Sequence, residues 1–376
     1  MPIDFTKTAD LVRKLITAAR DGDADYEPRP PAKMDWGLYD MAQTREIADT
    51  LELTRRLVDA AEERLLPRVG KRARRRGRPP TPAADIAKVL IMQTYFGVPN
   101  RVAESLLLLF GEKLGISREF SYKTIERGYD RAAVNRILDE VVALTNAPVQ
   151  GLEKVFAPDG TGMPASGKEN YAEKRAKQSE KNREAGGWPD EVPSPKSSPG
   201  GRVRQPVFGA GMIGVRSKLW TAWKGSCDPH VGELAHFGEN LARTKALHPE
   251  MEMVTGDGAY AGRPQCRLVA EVGAVPRFLP RRNATLKREG VKAWMDMLLA
   301  MAEDPQRWFG EYYQREAVET GNSMTKNRKG PLRKKLDARK ETETYLRFVQ
   351  HNVRRLAQLR WLWGLDPTLG RAWTAG

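Results

Sequence analysis

Two aspartates stand in matched settings, Asp159 in FAPDGTG and Asp257 in VTGDGAY, each after a short apolar run and before a glycine. Such runs predict strands, and strand ends in an open α/β sheet form a ligand crevice where carboxylates 98 positions apart can converge. A pair of this kind would hold a hard divalent cation, because Mg²⁺ takes few protein oxygens and fills its shell with water and phosphate oxygens. Taken singly, an aspartate before a glycine is more often a turn residue than a ligand. The third acid comes from YYQREAVETGNSMTK (312–326), where Tyr312, Arg315, Glu319 and Lys326 sit at relative positions 0, 3, 7 and 14. At about 100° per residue these fall within roughly a 60° arc of one helical face. Arg315 can steer the Glu319 carboxylate or clamp a phosphate, and Lys326 suits a point contact to a backbone phosphate. Gly321 and Asn322 can end that helix before Lys326, which would then reach the site from a loop. The plainer reading of the face is a solvated stripe in a charged protein. Glu233, at the start of a helix, is the substitute third acid, although first-turn acids mostly serve the helix dipole.

The elements that must position these groups begin at Pro148. Strands are predicted in GLEKVFAPDGTGMPA, PVFGAGMIGV (206–215), KLWTAWKG (218–225), MEMVTGDGAYAG (251–262) and AVPRFLPRR (274–282). Helices are predicted in VGELAHFGENLARTKAL (231–247), PQCRLVAEVG (264–273) and the C-terminal third. This alternation implies an α/β domain over 148–365 of the ribonuclease-H type: a mixed sheet of about five strands flanked by helices. Residues 167–205 are Lys, Glu, Ser, Pro and Gly with hardly an aliphatic, and read as a flexible insertion. Trp220 and Trp223 read as packing residues, and FVQHNVRRLAQLRWLWGL as an amphipathic helix docked on the sheet, its Arg354 and Arg355 solvated or near a polyanion.

Ahead of that domain, 1–66 reads as a helical arm, 67–80 as a basic linker and 81–147 as short helices with tight turns, a helix-turn-helix-like all-α region. In RRRGRPP (74–80), Arg76 and Arg78 flank Gly77 and suit a narrow minor groove, and together with Arg74 and Arg75 they suit nonspecific phosphate contact. SYKTIER (121–127) offers Lys123 and Arg127 to DNA, or is an ordinary amphipathic connector. The chain of 376 residues carries 63 Lys plus Arg against 48 Asp plus Glu, a net +15 that calls for a polyanion, and nucleic acid is the natural one. Neither a spanning apolar run nor a secretory leader is seen, so the expected location is the cytoplasm, at the nucleoid. Two cysteines cannot staple a chain of this size, and Cys227 with His230 lacks the second ligand pair that zinc needs.

The spacing Y-x2-R-x3-E-x6-K, matched at all four positions by Tyr312, Arg315, Glu319 and Lys326, resembles the signature of the insertion-sequence-four superfamily of DDE transposases. Asp159 in DGTG and Asp257 in GDGAY resemble that family's first and second catalytic aspartates, and the likeness covers 150–360. RGRPPTPAADIAKVLIMQTYFGV is similar, more loosely, to the linker and first helix ahead of many such catalytic domains. Only 61 residues separate Asp257 from Glu319, which places the chain near the compact members. The resemblance implies a DNA transposase using two Mg²⁺ ions, with Mn²⁺ as a substitute, held by Asp159, Asp257 and Glu319. Tyr312, Arg315 and Lys326 would position the strand. Its partners would be double-stranded DNA at terminal inverted repeats and at the target, met by a homodimer. A noncatalytic DNA-binding regulator and a stand-alone nuclease of the same fold are the alternatives.

Overall fold

A computed structural model describes residues 5–28, 33–66, 79–116, 118–166, 206–286, 290–327 and 329–365. Arg74, Arg75, Arg76 and Arg78 of the basic linker, and the 167–205 segment, lie outside the described residues. The first part is helical: α1 (Phe5–Asp21), α2 (Trp36–Leu65), α3 (Ala83–Phe96), α4 (Asn100–Phe110), α5 (Tyr122–Gly128) and α6 (Ala132–Asn146). Local chemistry sets several of the ends. The Asp35 carboxylate accepts from the Leu38 amide at 3.1 Å and starts α2. Gly97, at φ 64°, closes α3 in the left-handed region and turns the chain toward Pro99. Gly128 lets α5 lie against α3, since a Cβ there would come within 2.4 Å of Ile86 Cγ2.

The second part runs β1 (Val155–Met163), β2 (Val207–Gly214), β3 (Trp220–Ser226), a 3₁₀ turn at Glu233–His236, α7 (Phe237–Leu247), β4 (Met253–Gly256), α8 (Arg263–Glu271) and β5 (Val275–Phe278). It ends with α9 (Lys292–Glu303), α10 (Pro305–Tyr312), a 3₁₀ turn at Tyr313–Arg315, α11 (Glu316–Lys326) and α12 (Asp337–Leu362). The five strands form one mixed sheet in the order β3-β2-β1-β4-β5. β1, β2 and β3 are antiparallel neighbours, while β4 and β5 run parallel to β1. Helices flank the sheet, and each strand falls on a segment whose residue pattern predicts one, with β3 running one residue past its segment and β1 running straight through the Gly160 and Gly162 positions where a turn is expected.

Burial holds the layers together. Phe156, Val254, Tyr260, Phe278 and Trp308 are buried in one cluster that also takes Val12 and Ile16 of α1. On the other side of the sheet, Ala157, Ile213, Trp220, Val318 and Phe348 form a second cluster. A buried side chain of this size contributes about 1.5–3 kcal/mol, and Trp220 is tied further by its indole N–H to Thr325 Oγ1 at 2.9 Å. α12 docks on β3 through Asn352, which accepts from the Trp220 amide at 2.8 Å and donates to its carbonyl at 2.7 Å. The same helix gives Leu346, Val349, Val353 and Leu356 to the core of α2, α3 and α6. Arg354 and Arg355 are therefore neither solvated nor free for a polyanion: Arg354 pairs with Glu46 at 2.8 Å and Arg355 donates to the Ser217 carbonyl at 2.9 Å.

Candidate active site

β1 and β4 pair in parallel with Val155 opposite Met253 and Phe156 opposite Val254, a constant offset of 98 positions. Asp159 and Asp257 have that same offset. Both lie three residues beyond the last paired residues, Phe156 and Val254, Asp257 directly following the last residue of β4, and the Asp257 charge acts on Asp159. Neighbouring strands are about 4.8 Å apart, so the two carboxylates belong to one site. Thr255 Oγ1 donates to the Tyr312 carbonyl at 2.8 Å, which fastens the end of α10 beside them. Asp257 also serves its turn, accepting from the Ala259 amide at 2.9 Å.

Burial, with the neighbouring charges of Asp257 and Glu233, pushes the Asp159 carboxyl up to about 6. Glu233 is raised as well, by burial and by Asp257. Glu233 reaches the site because residue 160 has no side chain: a Cβ on Gly160 would come within 1.9 Å of Glu233 Oε2. Asn322 of α11 donates to Asp159 Oδ2 at 2.6 Å, while its own amide oxygen is buried without a partner. The Tyr260 hydroxyl is also buried and unpartnered, and burial with the charges of Glu233, Asp159 and Asp257 raises its pKa. Asn322 and Tyr260 are site residues that sequence reading misses. The only trace of them is spacing, Asn322 three positions after Glu319 and Tyr260 three after Asp257.

Tyr312, Arg315 and Glu319 line up as their spacing predicts, although the helix tightens to a 3₁₀ turn between Tyr312 and Glu316. The Tyr312 hydroxyl accepts from Arg315 Nε at 3.1 Å, and Arg315 Nη1 lies 3.2 Å from Glu319 Oε1. Glu319 is 64% exposed, at the rim, and its charge is met by Arg315. Thus the acids brought nearest to Asp159 are Asp257 and Glu233, with Glu319 one turn before Asn322 on α11. Gly321 and Asn322 do not end that helix, which runs unbroken to an exposed Lys326. Gly321 is a packing residue there: a Cβ would meet Ile213 Cδ1 at 2.2 Å. Lys123 and Arg127 are exposed, one turn apart on α5.

The donors gathered at the two aspartates are all hard oxygens: carboxylates and the unpartnered Asn322 carbonyl. That chemistry fits Mg²⁺ or Mn²⁺ in kind. Among the described residues no three acidic, histidine or cysteine side chains converge on one point as they stand, and Mg²⁺ completes its shell with water and phosphate oxygens. No helix among the described residues is long and apolar enough to cross a membrane.

No family model matches this chain, and no solved structure matches it. It is similar to a probable transposase for the insertion sequence element ISA1214 of Archaeoglobus fulgidus, with 26% identity over 358 residues, 94% of this chain and 98% of that protein.

Proposed function

We propose that the chain is a DNA transposase of the DDE type, cutting at the ends of its element and joining them to target DNA. The observation that carries this is the electrostatic coupling of Asp159 to Asp257, two carboxylates at the offset of the β1–β4 pair in a chain of net charge +15. The near full-length likeness to a probable transposase supports the general class. A mixed five-stranded sheet flanked by helices supports a ribonuclease-H-like catalytic domain.

In this reading Asp159 and Asp257 hold the divalent cations, and Glu319 is the third acid of the signature, presented at the rim by Arg315. Two bound Mg²⁺ ions, or Mn²⁺, supply Lewis-acid activation of the attacking oxygen and stabilisation of the leaving one. Cleavage is an in-line displacement at phosphorus: a water oxygen forms the new P–O bond and the 3′-oxygen departs, and the freed 3′-hydroxyl later attacks a target phosphate and displaces the target strand's own 3′-oxygen. The chain's own part is placement. Arg315, braced by Tyr312, offers its remaining guanidinium edge to a phosphate, and Lys326 at the end of α11 meets the backbone further along. Lys123 and Arg127 of α5, with Arg74, Arg75, Arg76 and Arg78 of the linker, bind the duplex outside the centre. Joining two ends calls for two copies, so the working form on DNA is a homodimer.

The test is cleavage of a labelled duplex carrying the element's terminal inverted repeats, in Mg²⁺ or Mn²⁺, by wild type, Asp159→Asn and Glu319→Gln. Cutting at the repeat boundary by wild type alone, with all three binding, supports the reading. If all three bind alike and none cuts under either metal, the chain is a noncatalytic DNA-binding regulator. Cutting without any joining to a target duplex would make it a nuclease.

A further inference from the structure

We propose that Glu233 is a further acid of the catalytic centre and ligates the divalent cation together with Asp159 and Asp257. The proposal rests on the reading of those two aspartates given above.

Glu233 reaches the site from the far side of the sheet's centre, from the turn between β3 and α7. Its carboxylate occupies the place a side chain at 160 would take, with Oε2 1.9 Å from the ideal Cβ position of Gly160. Any larger residue at 160 would evict it. The turn that carries it is well anchored. Phe237 is buried at the start of α7, Asn240 donates to the Ala210 carbonyl of β2 at 2.9 Å, and the Thr244 and Thr221 hydroxyls meet at 2.6 Å. A residue on such a support holds its position at little entropic cost.

Its surroundings lack a positive partner. Among the described residues no lysine or arginine pairs with Glu233, whereas Glu319 has Arg315 at 3.2 Å and is largely in solvent. Glu233 instead faces Asp257, Asp159 and the Tyr260 hydroxyl. Arg315 is the cation that acts on Asp159 and Asp257, one charge against three half-buried carboxylates, and a divalent cation relieves the repulsion that is left.

An independent observation points to a ligand at this place. The Asn322 side chain is only 9% exposed, and its amide nitrogen is fixed on Asp159, yet its amide oxygen has no partner. The Tyr260 hydroxyl, in a side chain with no exposure, has none either. Buried polar atoms left open in this way are costly unless something satisfies them. A hydrated cation among Asp159, Asp257 and Glu233 satisfies both, directly or through its waters. First-turn duty toward the helix dipole does not account for a glutamate placed against another strand's glycine.

The experiment is Mn²⁺ binding to the full-length chain without DNA, with free ion counted by electron paramagnetic resonance. Wild type, Glu233→Gln, Glu319→Gln, Asp159→Asn and Gly160→Ala are compared, each checked for fold by circular dichroism. Glu233→Gln is expected to weaken binding about 10- to 100-fold. Gly160→Ala, which keeps the charge but displaces it, should act in the same direction, and Glu319→Gln, whose carboxylate stands at the rim, should weaken binding less than Glu233→Gln does. If Glu233→Gln binds Mn²⁺ like wild type while Asp159→Asn abolishes binding, the role of Glu233 is overturned and the two aspartates stand. If the wild type binds no Mn²⁺ at millimolar concentration, the reading of the aspartates falls, and this proposal with it.

Discussion

Asp159 titrates near neutrality because it is half-buried beside two other acids, and that has a consequence for stability. Its folded pKa, about 6, lies above the model-peptide value of 3.8, so folding favours the protonated form. The stability it contributes is present in full below about pH 4 and is lost as pH rises through about 6. Above that, the ionised cluster costs free energy in the metal-free chain. Asp159→Asn, which cannot ionise, is therefore expected to stabilise the metal-free protein at pH 8 by about 1 kcal/mol, a figure already discounted for solvent screening, and to be neutral at pH 4. Thermal unfolding of wild type and variant at both pH values checks it. A difference independent of pH would mean that neither burial nor the neighbouring charges raise the Asp159 carboxyl. Arg315 belongs to the same scale: its Nε is spent on Tyr312, so Arg315→Lys keeps the charge but loses the brace. End cleavage should then fall more than duplex affinity does, measured by single-turnover cutting beside a binding isotherm.

At the scale of elements, α11 is the part that turns two carboxylates, Asp159 within β1 rather than at its end and Asp257 just after β4, into a site. Three contacts locate it. Asn322 is bonded to Asp159, Thr325 accepts the indole N–H of Trp220, and Gly321 rests on Ile213. The glycine was a doubtful residue for a helix interior, and the packing shows why it is there: α11 lies too close to β2 for a side chain. Gly321→Val is expected to push the helix outward and cost about 1–3 kcal/mol of overpacking, read by urea denaturation. It should also weaken Mn²⁺ binding, since Asn322 moves with the helix. A variant as stable as wild type would show that α11 has room to shift. The rest of this element was legible beforehand. Tyr312, Arg315 and Glu319 stand one helical turn apart in the chain and remain so in the fold, because spacing of that kind is local and survives a short 3₁₀ turn.

Over the whole molecule, the N-terminal helix and the last helix bind the parts together. α1 packs on α9, and Arg20 donates to the Pro280 carbonyl at 2.9 Å while its guanidinium sits against Gly258, next to Asp257. Arg20→Ala is expected to speed amide exchange across 257–262 without unfolding the sheet, measurable by hydrogen–deuterium exchange. Unchanged protection would leave Arg20 a surface residue. The net charge of +15 acts at this scale too. Duplex affinity should fall about 10³-fold or more between 50 and 200 mM salt, and Lys123→Ala with Arg127→Ala should flatten that dependence, as titrations of a labelled duplex would show. Salt-independent binding would remove the phosphate backbone as the main contact. By itself the sequence determined the elements and their kinds, since strand and helix periods and glycine and proline breaks are local. It determined as well the alignment of Tyr312, Arg315 and Glu319 along one face, whereas the strand register that matches the 98-residue offset of the two aspartates belongs to the tertiary structure. Only the tertiary structure decided which acids meet. Glu233 comes near Asp159 because the chain after β3 turns back over the sheet and because Gly160 leaves a gap, and a missing side chain has meaning only once the group that fills its place is known. The same holds for Arg354 and Arg355, which read as surface charges until Glu46 and Ser217, distant in sequence, are folded against them.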